Sequence, residues 1–382
     1  MAASGVLYQE GKKGKDTVLT FVGAGMRDFA LAMSPHFKTL KAQVGESELW
    51  VYTTDRSQKH AQELLRYGQN ALDTYSRLFG PIPYKRISIV AAPLGGGAGG
   101  TEFSGLVLIG EGILGISGGD NPFSSPAGKE KRDSADLFSV LGSLLGGGSP
   151  SGQDKKGSTN PFSFLLEALG LCDFDLGSFQ LIMEALPEMV VVHELGHQWW
   201  YSLVGARSLE APWLDESLTQ YSGFVALEHS RGVVYRNAFL KNSKMTVNMA
   251  CSLGGCRGKG ITLPVEEYGN ELCYAALVYE KGALFYHALR EAVGDEAFFG
   301  GLRDYAQKYR YRMMPDRGPI ECIKARSKDP RQVDLLVQEW LQQKCGLPGE
   351  KDRAPEGSPR QANPLGELLG RLLEGLLGDL LK

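Results

Sequence analysis

No stretch of the chain approaches the roughly 18 consecutive apolar residues needed to span a membrane, and the opening MAASGVLYQEGKKGKD lacks the charged-then-apolar order of an export leader. A cytoplasmic protein without a membrane span is the expectation. No run of lysine or arginine occurs, and the formal net charge is −3. That balance excludes the strongly basic footprint of a nucleic-acid binder. Cysteine is sparse, and its six positions form no CxxC pair and no ligand tetrad. Neither a disulfide framework nor a structural zinc site is indicated. Cys251 and Cys256 are near enough in sequence to bridge, but free thiols are expected.

What is present is a globular composition, 43% hydrophobic and 22% charged over 382 residues, enough for one large core or two smaller ones. Residues 17 to 53 alternate apolar and polar and read as a few antiparallel strands. Residues 56 to 78 have helical spacing, GPIPY ends it, and RISIVAAP reads as a short buried strand. TEFSGLVLIG reads as a second strand after the glycine cluster GGGAGG. Residues 111 to 180 are dense in glycine, serine and proline and read as an insertion with two leucine-rich helical pieces, DLFSVLGSLLG and NPFSFLLEALG. From about 181 to 345 the period is helical, with breaks before Trp213, at SLGGCRGKG and at MMPDRGP. Residues 346 to 363 read as a linker. In 364 to 382 six leucines from Leu365 to Leu380 share one helical stripe, an amphipathic helix expected to dock on its own chain or on a second copy.

The chemistry concentrates in VVHELGHQWW, residues 191 to 200. Three polar side chains in so apolar a stretch need partners, because burying them unpaired is costly. On a helix, His193 and His197 stand four apart on one face and can turn two imidazoles toward one metal ion, with Glu194 beside them. A catalytic zinc takes three protein ligands and leaves one position for water. WLDESLTQYSGF supplies the third candidate, Glu216, with 18 residues between it and His197. One zinc per chain is therefore expected on His193, His197 and Glu216, with Glu194 as general base.

These motifs resemble those of the gluzincin aminopeptidases, the family of aminopeptidase N and the leukotriene-hydrolase type enzymes. HELGHQWW followed by WLDES is similar to the family's zinc signature, and GGTEFSGLVLI to its G-x-M-E-N strand, with Thr101 and Phe103 in place of methionine and asparagine. YEKGA, residues 279 to 283, resembles the segment carrying the family's catalytic tyrosine, and MRDFALAMSPHF the end of its N-terminal β-domain. The resemblance implies an α+β, thermolysin-like zinc metallopeptidase fold. It implies a β-domain remnant over 1–54 and a peptidase domain over 55–345. It further implies that Tyr279 donates to the oxyanion and that Glu102, with Gly99, Gly100 and Tyr274, binds the free amine of a peptide. Gly223 stands where many relatives carry a carboxylate supporting a ligand. The expected reaction is removal of N-terminal residues from peptides. A zinc endopeptidase and an inactive binding module of the same fold stay open beside it.

Overall fold

The computed structural model describes residues 1–95, 99–115, 175–252 and 255–349. The two leucine-rich pieces expected within the insertion and the tail helix at 364–382 lie outside the described residues.

Five strands form the main sheet, in the order β5-β6-β7-β9-β8. These are β5 (Lys38–Val44), β6 (Ser47–Thr53), β7 (Arg86–Ala92), β8 (Gly100–Phe103) and β9 (Leu106–Gly110). The centre is parallel, β6 to β7 and β7 to β9, and each flank is closed by an antiparallel hairpin. β5 and β6 fall inside the expected N-terminal β segment, yet they are hydrogen-bonded into this sheet. Before them, β1 (Ala2–Ala3) pairs with β4 (Leu31–Ala32), and β2 (Val6–Lys13) with β3 (Asp16–Val22).

TEFSGLVLIG is not one strand. Gly105 takes φ +72°, a left-handed conformation that glycine adopts without a Cβ clash, and the chain reverses there. Glu102 consequently pairs with Val107 across a hairpin, on the edge strand β8.

Helix α1 (Ala61–Phe79) covers the sheet through Leu64, Tyr67, Ala71, Leu72, Tyr75 and Phe79, the stripe a 3.6-residue period requires. Helix α2 (Leu176–His197) is begun by Asp175, whose carboxylate accepts from the Gly177 and Ser178 amides. Its second half is buried all round, from Val191 to Trp200, which is why its sequence lacks an amphipathic period. Helix α3 (Glu216–Arg231) follows a turn over Pro212–Leu214 and is capped by Asp215. Helix α4 is Val233–Ser252, α5 Gly282–Val293, α6 Asp295–Lys308, α7 Gly318–Arg326 and α8 Pro330–Gln342. Two wider, π-type helical segments interrupt this body, Gln198–Leu203 after α2 and Ala275–Lys281 before α5. Such segments frequently mark functional sites, and each adjoins a candidate residue.

The expectation of free thiols is overturned for two cysteines. Cys251, at the end of α4, is bonded to Cys345, just beyond α8, across 94 residues of sequence. Cys256 is instead a buried free thiol, hydrogen-bonded to Cys273. Spacing misled because the partner of Cys251 is brought close only by folding. Nearby, the Lys281 ammonium donates to the Gln343 and Lys344 carbonyls at 2.9 Å each, satisfying acceptors beyond the end of α8. Among the described residues no helix is long and apolar enough to cross a membrane.

Candidate active site

The last two turns of α2 present His193 and His197 to the first turn of α3. Their Nε2 atoms are 3.2 Å apart, and Glu216 Oε2 lies 3.2 Å from His193 Nε2 and 3.4 Å from His197 Nε2. Donors bound tetrahedrally at about 2.0–2.1 Å would be separated by about 3.3 Å, so the three atoms fit a zinc ion. The hydrogen bonds behind them agree. His193 Nδ1 faces the Gln220 side-chain oxygen at 3.0 Å, an acceptor, so Nδ1 carries the proton and Nε2 presents a lone pair. His197 Nδ1 meets Thr219 Oγ1 at 3.3 Å. Three electron-rich atoms facing one another call for a cation.

The electrostatics express the same demand. Burial would lower the His197 imidazole, but Glu102 and Glu216 outweigh it and raise it to about 10. Burial likewise opposes ionisation of Glu216, yet His197 and His193 hold its carboxyl far below the usual range. Glu194 behaves oppositely. Burial pushes its carboxyl well above the ordinary value, and the charges of Glu102 and Glu216 add to this against the pull of His197. A carboxylate so placed is a ready proton acceptor.

Glu102 enters the site from the sheet. Its carboxylate, that of Glu194 and an imidazole nitrogen of His197 all lie within 4.8 Å of one another. The hairpin approaches α2 this closely because of Gly100, where a Cβ would stand 2.5 Å from Glu194 Cγ. Gly99 is looser, its Cβ position 3.4 Å from Val190. Tyr279 arrives from the second π-type segment. Its ring stacks on His193 with centroids 5.7 Å apart, its hydroxyl bonds Glu216, and burial raises its phenol well above the usual value. Tyr274 packs edge-on against Tyr279 at 5.6 Å and bonds its hydroxyl. Glu102, His193, Glu194, His197, Glu216 and Tyr279 therefore converge, although they come from β8, α2, α3 and the segment before α5; Gly99 just precedes β8, and Tyr274 ends the short helix Glu271–Tyr274 ahead of that segment.

Sequence reasoning missed the support behind the ligands. Gln220, one turn beyond Glu216, receives the His193 N–H and donates 3.3 Å to Glu280 Oε1, and Ser243 donates to Glu280 Oε2. At Gly223 the space a side chain would take is filled by the Met189 methyl, 2.4 Å from the Cβ position. The supporting acid comes from Glu280 instead, the second residue of YEKGA. Its helical spacing from Gln220 could not have revealed this, since the two residues sit on different helices.

A helix bearing H-E-x-x-H whose histidines meet a glutamate from the following helix defines the gluzincin class of metallopeptidase. Residues 180–340 match the model of the Peptidase family M1 domain. Aminopeptidase N of Lactococcus lactis subsp. lactis is 30% identical over 159 residues, 41% of this chain and 18% of that protein. Endoplasmic reticulum aminopeptidase 2 of Homo sapiens is 28% identical over 124 residues, 32% of this chain and 13% of that protein. These matches thus span less than a fifth of the relatives' length. In fold, the chain is similar to the M1 zinc metallopeptidase of Deinococcus radiodurans, with a TM-score of 0.52 at 16% identity over 89% of this chain and 60% of that one.

Proposed function

We propose that the chain is a zinc-dependent aminopeptidase, removing N-terminal residues from peptides that have a free amine. The observation that carries the reading is the Glu102 carboxylate standing within 4.8 Å of donor atoms of Glu194 and His197. Zinc held by His193, His197 and Glu216 would supply a Lewis acid for the scissile carbonyl and acidify the attacking water.

The chain's own residues do the rest. Glu102 pairs with the substrate ammonium and so places the first peptide bond beside Glu194. Glu194 takes a proton from the attacking water and later delivers it to the departing amine, so the carboxylate is regenerated. The Tyr279 hydroxyl donates to the oxyanion as the carbonyl carbon becomes tetrahedral, an interaction commonly worth about 3 kcal/mol. Tyr274, bonded to Tyr279, holds that hydroxyl in place, and Gly99 and Gly100 let the substrate backbone run close to the edge of β8. The Cys251–Cys345 bond supports residence in an oxidising compartment rather than the cytoplasm.

The test is turnover of aminoacyl arylamides beside their N-acetyl derivatives, with and without a chelator. Cleavage of the free-amine substrates alone, abolished by the chelator, is expected. Equal cleavage of both sets would make the protein an endopeptidase, and no cleavage of either by the zinc-loaded chain would make it a binding module.

A further inference from the structure

The hairpin that carries Glu102 is an edge element, and a carboxylate measures a substrate's amine only if it is held at a fixed distance from the metal ligands. We infer that Gln198 is the positioning residue that sets this distance; the inference rests on the aminopeptidase reading above.

Gln198 follows His197 directly and is fully buried. Its side-chain oxygen accepts from the Gly105 amide at 2.8 Å, and its side-chain nitrogen donates to the Phe103 carbonyl at 3.1 Å. Both backbone groups belong to the β8–β9 turn, and Phe103 is the neighbour of Glu102. A primary amide is suited to this grip because it offers a donor and an acceptor side by side, whereas a carboxylate or thioether of similar size cannot satisfy both groups. The turn is also held from the N-terminal side. Ser104 N donates to Asp28 Oδ1 at 2.7 Å, and Arg27 N donates to Ser104 Oγ at 3.0 Å. Asp28 in turn accepts from the Tyr201 hydroxyl at 2.9 Å, in the same π-type segment that Gln198 begins. The bonds run from the ligand helix through Gln198 to the backbone of the residue after Glu102. Gln198 acts through that backbone and does not contact the Glu102 carboxylate in this network.

The experiment measures binding to the zinc-loaded full chain by calorimetry, using leucine hydroxamate and 4-methylpentanoyl hydroxamate, which differ only in the α-amine. In the wild type the amine should tighten binding by about tenfold or more, the increment of a charge-assisted pair. Gln198→Met, of similar volume, should lose most of that ratio while the amine-free ligand binds as before and zinc content is unchanged. Gln198→Glu, which keeps the acceptor but loses the donor, should give an intermediate ratio, and it carries the test should the methionine variant fail to fold. In a Glu102→Ala background, Gln198→Met should change the ratio no further, because both substitutions remove the same interaction. An unchanged ratio in the Gln198 variants, or equal weakening of both ligands, overturns the inference. A wild type indifferent to the amine overturns the aminopeptidase reading itself, and the inference with it.

Discussion

Gly282 and Ser217 meet with no space for a side chain between them: a Cβ on Gly282 would lie 2.0 Å from Ser217 Oγ and 2.4 Å from Ser217 Cβ. Ser217 Oγ also donates to the Val278 carbonyl at 2.6 Å. Ser217 is the neighbour of Glu216, and Val278 that of Tyr279. The contact therefore fixes how near the tyrosine segment stands to Glu216, the third proposed metal ligand.

Gly282→Ala should force these two helices apart. Overpacking of a buried contact costs about 1–3 kcal/mol, and here the displacement also carries Tyr279 away from Glu216 and His193. The expected outcome is a lower melting temperature and a lower kcat, with metal content kept, since His193, His197 and Glu216 remain. A variant that melts as the wild type does and turns over at the same rate would show that the contact relaxes freely.

Glu194→Gln separates ligand from base. Glu194 belongs to neither of the two histidine positions nor to the Glu216 position, and its carboxyl is raised well above the ordinary value by burial first and then by Glu102 and Glu216. The amide should therefore retain one zinc per chain and lose activity by at least about a hundredfold. His193→Ala should lose the metal. Metal analysis of the two proteins decides the roles, and zinc loss in Glu194→Gln would reverse them.

The candidate site was legible in the sequence where its chemistry is local. His193, Glu194 and His197 lie within one helical turn, and Glu216 opens the next helix, so spacing alone nearly specifies the ligand set. Glu102 and Tyr279 were legible only through resemblance, because GGTEF and YEKGA read alone as a turn entering a strand and a packing helix. What stayed hidden depends on folding. Gln220 reaches Glu280 between helices and Cys251 reaches Cys345 across 94 residues of sequence, whereas the reversal at Gly105 is marked by the Ser104-Gly105 pair, a turn signal inside what reads as one strand. The α+β class came with the resemblance, and the alternation of residues 17 to 53 and the helical period after 181 agreed with it. The order of strands was not legible, since β6, β7 and β9 pair in parallel through connections that pattern does not encode.

The Cys251–Cys345 bond closes a loop of 94 residues that contains the Tyr279 segment. Linking so long a loop restricts the unfolded chain, and removing such a bond typically costs about 2–5 kcal/mol. Cys345→Ser should melt several degrees lower than the wild type, and a reductant should lower the wild type to a similar temperature while leaving the variant almost unaffected. Peptide mapping without reduction should recover the Cys251 and Cys345 peptides joined. A Cys251–Cys256 link, or a melting temperature indifferent to reductant, would overturn the pairing.

Glu280 should make stability depend on pH in a direction opposite to that of a salt-bridged acid. Burial pushes its carboxyl up to about 7 from 4.5, although the bonds from Ser243 and Gln220 favour the charged form. Between these two values the folded state binds more protons than the unfolded one, so this group's contribution is fully present below pH 4.5 and is lost as pH rises through about 7. Glu280→Gln removes the titration while preserving the contacts. Its carbonyl still accepts from Gln220, and its amide donates to Ser243 Oγ, whose own proton remains available to the Phe239 carbonyl at 3.0 Å. The variant should therefore gain stability relative to the wild type as pH is raised across that window, with zinc bound in both. Denaturant midpoints measured at intervals of pH give the difference directly. Parallel curves for the two proteins would mean that Glu280 ionises in the folded state as readily as in the unfolded chain.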